Sequence, residues 1–253
     1  MPLISKQRSK NWNRTIGLLH LTINSLLAQN DPNWQVIIVC QEKPDLPDDP
    51  RVHFRRFEKD VSSNLRTDKW MKLALAYRVW IRELPKDGYL FPLDADDLLH
   101  PDLVRRILNK RHQGAVILKR GFMLNVKSGE MSRLFGQGRN TGIAFFGTCG
   151  SSAAIRVSPD HFYKPTYVAQ SYIDHGKPQI HFPLFGYDIL YMNFPAGIYC
   201  LNHGDNMDWD VRSHGQIATI RKNALNPGHR DKVLQRFGLT LEAFMRLTHT
   251  PSE

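Results

Sequence analysis

Three carboxylates fall within four positions at Asp94, Asp96 and Asp97, directly after the apolar run Gly88-Tyr89-Leu90-Phe91-Pro92-Leu93. A strand that crosses a core and ends in such a cluster sets its charges at one edge of a sheet. In open α/β sheets the carboxyl edge is where ligands bind. Asp94 and Asp96 are two apart, so on an extended backbone their side chains point the same way. Two convergent hard oxygen ligands suit Mg²⁺ or Mn²⁺, ions that commonly arrive with a diphosphate. Capping a following helix would occupy one carboxylate, Asp94 or Asp97. Three crowded carboxylates repel one another unless a cation is present.

Basic residues are the natural counterpart of a diphosphate. Arg66 and Lys69 stand near the start of a helical segment, where backbone N–H groups also favour anions. Arg8 lies in the polar stretch Ser5 to Asn13. The chain of 253 residues carries a net charge of +10, spread over several elements rather than in one block, so its polyanion candidates are nucleotide diphosphates and anionic membrane lipids. No aromatic-interleaved basic motif or zinc-finger spacing occurs, so nucleic acid is not expected. Cys40, Cys149 and Cys200 are far apart without CxxC spacing, which argues against a disulfide framework or zinc. No signal-peptide pattern and no apolar run near the ~20 residues of a membrane span is present, so a cytoplasmic protein, peripheral at most, is expected.

The elements that must position these residues follow from periodicity. Ile16, Leu19, Ile23, Leu26 and Leu27 give an amphipathic helix over residues 15–29, stopped by Asp31-Pro32-Asn33. Trp34-Gln35-Val36-Ile37-Ile38-Val39-Cys40 is a β-branched run, the pattern of a buried parallel strand. Trp70, Leu73, Tyr77, Trp80, Ile81 and Leu84 mark a second helix that leads through Lys86-Asp87-Gly88 into the strand before the aspartates. Pro101 then opens a third helix with Leu103, Val104, Ile107 and Leu108 as its stripe. Alternating helices and strands predict a doubly wound half-domain with a mostly parallel sheet. Beyond residue 112 the pattern changes. Ala115 to Leu118 reads as a strand, Phe122 to Val126 as a return segment, and Lys127-Ser128-Gly129 as a turn. The glycine-rich stretch 136–152 fits either a loop lining a cleft or ordinary turns. Helices around residues 214–223 and 231–247 are expected outside the core.

The helix with Ser25-Leu26-Leu27-Ala28-Gln29, the Trp34-to-Val39 strand, the helix carrying Lys69, and Tyr89-Leu90-Phe91-Pro92-Leu93-Asp94-Ala95-Asp96-Asp97 together resemble glycosyltransferase family two. The similarity covers residues 1–110 well and the rest loosely. It implies a GT-A fold: a Rossmann-like nucleotide-sugar-binding half over 1–112, an irregular acceptor-binding and catalytic half over 113–210, and a helical extension over 211–253. It also implies a metal-dependent, inverting hexosyltransferase that takes a nucleoside diphosphate sugar, usually a UDP-sugar, to a hydroxyl acceptor such as a polysaccharide or lipid-linked saccharide. Two departures stand out. Only Pro2-Leu3-Ile4-Ser5 remains of the family's first strand, and Cys40-Gln41-Glu42 replaces the acidic residue often found after the second.

By this resemblance Asp96 binds Mn²⁺ or Mg²⁺ directly and Asp94 contacts the ribose or a metal-bound water. His203, after the apolar segment 196–201, supplies a further ligand, and Asp97 is structural. Pro2, Ile4, Arg8, Gln41, Arg66, Lys69 and Ala95 complete the nucleotide contacts. Asp188, in Phe185-Gly186-Tyr187-Asp188-Ile189-Leu190, is the expected general base, or alternatively the cap of a helix starting at Ile189. Asp205 and Asp174 are its rivals, while Tyr187 and Trp209 are candidate sugar platforms. The competing functions are a sugar-nucleotide nucleotidyltransferase, whose glycine-rich basic loop Ser5-Lys6-Gln7-Arg8-Ser9-Lys10 lacks the glycine, and a non-catalytic nucleotide- or membrane-binding domain.

Overall fold

The computed structural model describes residues 1–59, 65–83, 87–136, 143–157, 177–205 and 212–248, without the side chains of Leu65, Arg66, Arg212 and Ser213. Helix α1 (Trp12–Leu27) begins at Asn11, whose side chain accepts the Arg14 N–H at 2.9 Å. An N-cap there, four residues before the predicted start, satisfies a donor that the helix cannot. Strand β1 (Val36–Cys40) is buried along its whole length and pairs in parallel with β2 (Val52–Arg56). The stub at the N-terminus flanks β1, with Pro2 opposite Val39. Helix α2 (Leu65–Glu83) packs on β1 through Val79, which joins Ile37, Val39 and Phe57 in one apolar cluster.

The remaining strands form a second sheet. It contains β3 (Gly88–Leu90), β4 (Leu98–Leu99), β5 (Ala115–Asn125), β6 (Met131–Leu134), β7 (Ala153–Val157) and β8 (Ile189–Leu201), in the order β3-β7-β5-β8-β4 with β6 on β5. Only β5 and β8 run parallel; the other pairings are antiparallel. The α/β architecture matches the GT-A expectation, but the six-stranded sheet is mixed, its parallel pairing being that of β5 with β8, while β1 and β2 form a separate parallel pair. The hairpin turn is the physical reason on one side: Gly129 at φ +69° reverses the chain between β5 and β6. Helix α3 (Leu103–Lys110) starts just after Pro101 and Asp102 rather than including the proline.

The strand and return segment expected after Gly114 are a single strand of 11 residues. Its register against β8 shifts around Arg120 instead of turning back. Glycine makes the shift possible. A Cβ on Gly121 would lie 2.2 Å from the Phe145 ring, and one on Gly197 of β8 would lie 3.2 Å from the same ring. The aromatic ring therefore fills the space that two side chains would otherwise take.

Helices α4 (Pro178–Leu184), α5 (Arg212–Lys222), α6 (Pro227–Arg236) and α7 (Leu241–Thr248) complete the fold. The last two divide the single predicted helix at Gly238, whose φ is +73°. They also correct its expected position. Val233, Leu234, Phe237 and Phe244 join Leu18 and Leu21 of α1 and Phe122, Leu124 and Ile198 of the sheet in a buried cluster. The chain's end thus covers one face of the core instead of lying outside it. At that contact a Cβ on Gly17 would come within 2.1 Å of the Leu247 carbonyl, so α1 and α7 touch backbone to backbone. Among the described residues, no helix is long and apolar enough to cross a membrane.

The packing around Phe145 gives a direct test. Gly121→Ala forces the ring out of its seat and should cost about 1–3 kcal/mol in chemical denaturation, the usual cost of overpacking. Unchanged unfolding midpoints would show that the ring does not occupy this space.

Candidate functional site

Strand β3 stops at Leu90, and Phe91-Pro92-Leu93 carry the chain on without ladder pairing. Pro92 lacks the N–H that a strand would need there. The chain then turns, the Asp97 N–H reaching the Asp94 carbonyl at 3.4 Å. This turn brings ligand oxygens of Asp94, Asp96 and Asp97 within 4.8 Å of one another.

The three carboxylates separate by their surroundings. Asp97 is 1% exposed and accepts from the Ser151 hydroxyl at 2.7 Å, the Cys149 thiol at 3.2 Å and the Cys200 N–H of β8 at 3.2 Å. Burial, then the neighbouring charges of Asp96 and Asp94, pushes its carboxyl well above the usual range. Burial and the same Asp97 charge push the Cys149 thiol up as well, which keeps it an S–H donor. Asp94 is half-buried and forms an ion pair with Lys69 at 2.6 Å. Burial draws the Lys69 ammonium down, but Asp94, Asp96 and Asp97 together outweigh it and hold it above its ordinary value. Asp96 meets His203, with Nε2 2.7 Å from its Oδ2.

His203 reaches the cluster because β8 ends at Leu201 and the next residues bend sharply, with Asn202 at φ +67° and Gly204 at φ +104°. The bend is fixed from several sides. Asn202 donates to the Asn125 side chain at 2.9 Å, and Arg14 of α1 donates to the His203 carbonyl at 3.0 Å. Asp205 accepts from Ser9, the Lys10 N–H and Thr15 at 2.7, 2.9 and 3.0 Å. Its carboxylate ties the basic loop to the histidine loop and is already occupied as an acceptor.

Lys69 is aimed by its own helix. One turn on, Lys72 is fully buried, pairs with Asp68 at 2.7 Å and donates to the Leu3 carbonyl at 2.7 Å. Gln41, at the end of β1, donates to Asp68 at 3.2 Å. Gln41 therefore faces this support rather than the aspartate turn. Together the N-terminal stub, β1 and α2 are locked, and Lys69 projects from the locked helix. A carboxylate and an imidazole nitrogen in contact, with further carboxylate oxygens beside them, fit the hard and borderline donors that Mn²⁺ or Mg²⁺ accepts. The paired Lys69 offsets part of the charge.

Other expected positions are distributed more widely. Pro2 and Ile4 lie in the stub, where the Ile4 carbonyl accepts from the Cys40 thiol at 3.4 Å. Arg8 sits in a turn closed by its N–H to the Ser5 carbonyl at 3.1 Å, and Ala95 packs partly against the main core. Asp188 is exposed at the head of β8, where its carbonyl accepts from the Ala115 N–H at 2.7 Å. The residues after it form a strand and not a helix, so the capping alternative falls away. Thirteen strand residues, up to roughly 40 Å of extended chain, stand between Asp188 and the histidine loop. Asp188 and the histidine loop therefore stand at opposite ends of β8. Tyr187 belongs to the core with Ala115, Ile117, Ile155 and Phe182, which removes it as a sugar platform. The Arg66 side chain, Asp174 and Trp209 lie outside the described residues. Sequence reasoning missed Cys149, Gly150 and Ser151; the density of glycines over 136–152 was their only signal.

A comparison with known families matches residues 11–161 to the family described as glycosyl transferase family 2. That stretch includes α1, the first strands, α2, the aspartate turn and the Cys149–Ser151 loop. No curated protein matches the chain.

The environment of Asp97 sets a pH dependence. Its folded-state pKa lies above the ordinary carboxylate value, so the folded protein holds this proton more tightly than the unfolded chain. The corresponding stability is present at pH below the ordinary value of ~3.9 and is lost as pH rises through the folded-state pKa. Asp97→Asn cannot ionise, so its stability relative to wild type should improve steadily as pH is raised from about 4. Urea unfolding across that range measures it; a constant difference would remove the raised pKa.

Proposed function

The chain belongs to glycosyltransferase family 2, and from that membership we propose that it is a metal-dependent, inverting transferase using a UDP-sugar and a hydroxyl acceptor. The observation that carries the reading is the contact between Asp96 and His203, residues 107 positions apart that meet at 2.7 Å beside Asp94. Asp96 and His203 would hold Mn²⁺ or Mg²⁺, with Asp94 on the ribose or on a metal-bound water. The bound ion supplies Lewis-acid stabilisation of the leaving diphosphate.

The protein's own residues do the rest. Lys69 adds a fixed positive charge beside the aspartates, where negative charge develops on the departing nucleotide, and a preorganised charge needs no rearrangement to act. Its pairing to Asp94 also keeps that carboxylate pointed in one direction. Asp97 carries no part in contacting donor, being enclosed by three donors. Asp188 is the proposed base of this reading, and its substitution tests that role. A saccharide or lipid-linked saccharide acceptor, with the protein peripheral at an anionic membrane, suits the net charge of +10.

Thermal shift with UDP, with and without Mn²⁺, tests the donor site. Wild type should be protected more by the pair than by either alone. Asp96→Ala and His203→Ala should each weaken Mn²⁺-dependent UDP binding by more than about 10-fold. Retained metal-dependent binding in Asp96→Ala would overturn the assignment. Slow hydrolysis across a panel of nucleotide sugars then identifies the donor. Loss of that hydrolysis in Asp188→Ala with UDP binding intact assigns the base, whereas unchanged turnover removes it.

A further inference from the structure

The loop of residues 148–152, between a 3-10 turn at Phe145–Gly147 and β7, lies directly against the aspartate turn. Ser151 is 1% exposed and sits between the turn's two ends. Its Oγ accepts the Asp94 N–H at 2.9 Å and donates to Asp97 Oδ2 at 2.7 Å. We propose that Ser151 is a positioning residue: its hydroxyl bridges the first and last aspartates and thereby sets the direction in which Asp94 and Asp96 point.

The chemistry of the bridge restricts the residue type. One short side chain must accept and donate at once in a space closed to water, and a hydroxyl does both. Alanine would take the acceptor from the Asp94 N–H and leave Asp97 Oδ2 with the weaker Cys149 thiol alone. The neighbouring position is restricted too. A Cβ on Gly150 would lie 2.6 Å from Asp94 Oδ2 and 3.6 Å from Lys69 Nζ, so the loop's backbone is pressed against the ion pair. Cys149 provides the contrast, because its thiol donates to Asp97 Oδ2 at 3.2 Å, on one side of the bridge that Ser151 makes. Both side chains support Asp97, and the bridge to Asp94 runs through Ser151.

The role rests on reading Asp94 and Asp96 as the metal and nucleotide contacts, so two readouts are needed. Mn²⁺ is titrated calorimetrically in the presence of saturating UDP, and hydrogen exchange is followed in the peptide spanning residues 91–99. Ser151→Ala should weaken Mn²⁺ binding by about 10-fold, as loss of a supporting partner commonly does. It should also speed exchange in that peptide while β1 keeps its wild-type protection. Cys149→Ala should stay near wild type in both. Wild-type exchange in Ser151→Ala, or an equal effect from Cys149→Ala, would overturn the proposal. If wild type binds no Mn²⁺ with UDP, the metal reading fails and the exchange comparison alone decides the bridge. Should Ser151→Ala not fold, Ser151→Cys carries the comparison with a weak donor and acceptor; it should give intermediate acceleration, and wild-type exchange there would overturn the bridge.

Discussion

Everything around the site depends on a carboxylate that water does not reach. Burying Asp97 is unfavourable unless each oxygen meets a donor, and the donors come from separate parts of the chain. Cys200 offers a backbone N–H from β8, while Ser151 and Cys149 come from the loop before β7. Satisfying one acid thus joins the turn after β3 to two other segments. Such a connection is specific because a small displacement of any segment would strand a buried charge.

A second buried ionisable group, Lys72, joins separate segments in the same way. Lys72 has no exposed surface, and its ammonium connects Asp68 of its own helix to the Leu3 carbonyl of the stub. The helix that carries Lys69 is therefore referenced to β1 by a charged contact as well as by apolar packing. Residues 68, 69 and 72 divide one helical turn between support and function. The aspartates are approached by a cation whose position was set elsewhere.

Much of this was legible in the residues. The apolar run 34–40 had to be a buried strand, the spacing of Leu19, Ile23 and Leu26 had to be a helix, and acids at a strand end had to meet a cation. His203 was singled out because a polar loop followed a long apolar segment, and it lies against Asp96. What stayed hidden depended on contacts distant in sequence. Phe122 to Val126 looked like a return segment because the Gly121 opening is explained only by the Phe145 ring. The final helices looked peripheral because their apolar stripe could not reveal the cluster of α1 and sheet residues it covers. Tyr187 looked available because aromatic type does not distinguish core from platform. Ser151 had only the surrounding glycines as a signal: a serine among glycines is ordinary until its two partners are known.

Arg14 shows what the backbone contact between α1 and α7 entails for handling the protein. Its guanidinium donates to the Thr248 carbonyl at 2.8 Å and to the His203 carbonyl at 3.0 Å. The last described helix and the histidine loop thus share one side chain as an anchor. Residue 210, where the family resemblance ends the catalytic half, is for that reason a poor boundary. A fragment cut there would retain every residue of the aspartate turn and lose one of the two ends that hold Arg14 in place beneath His203.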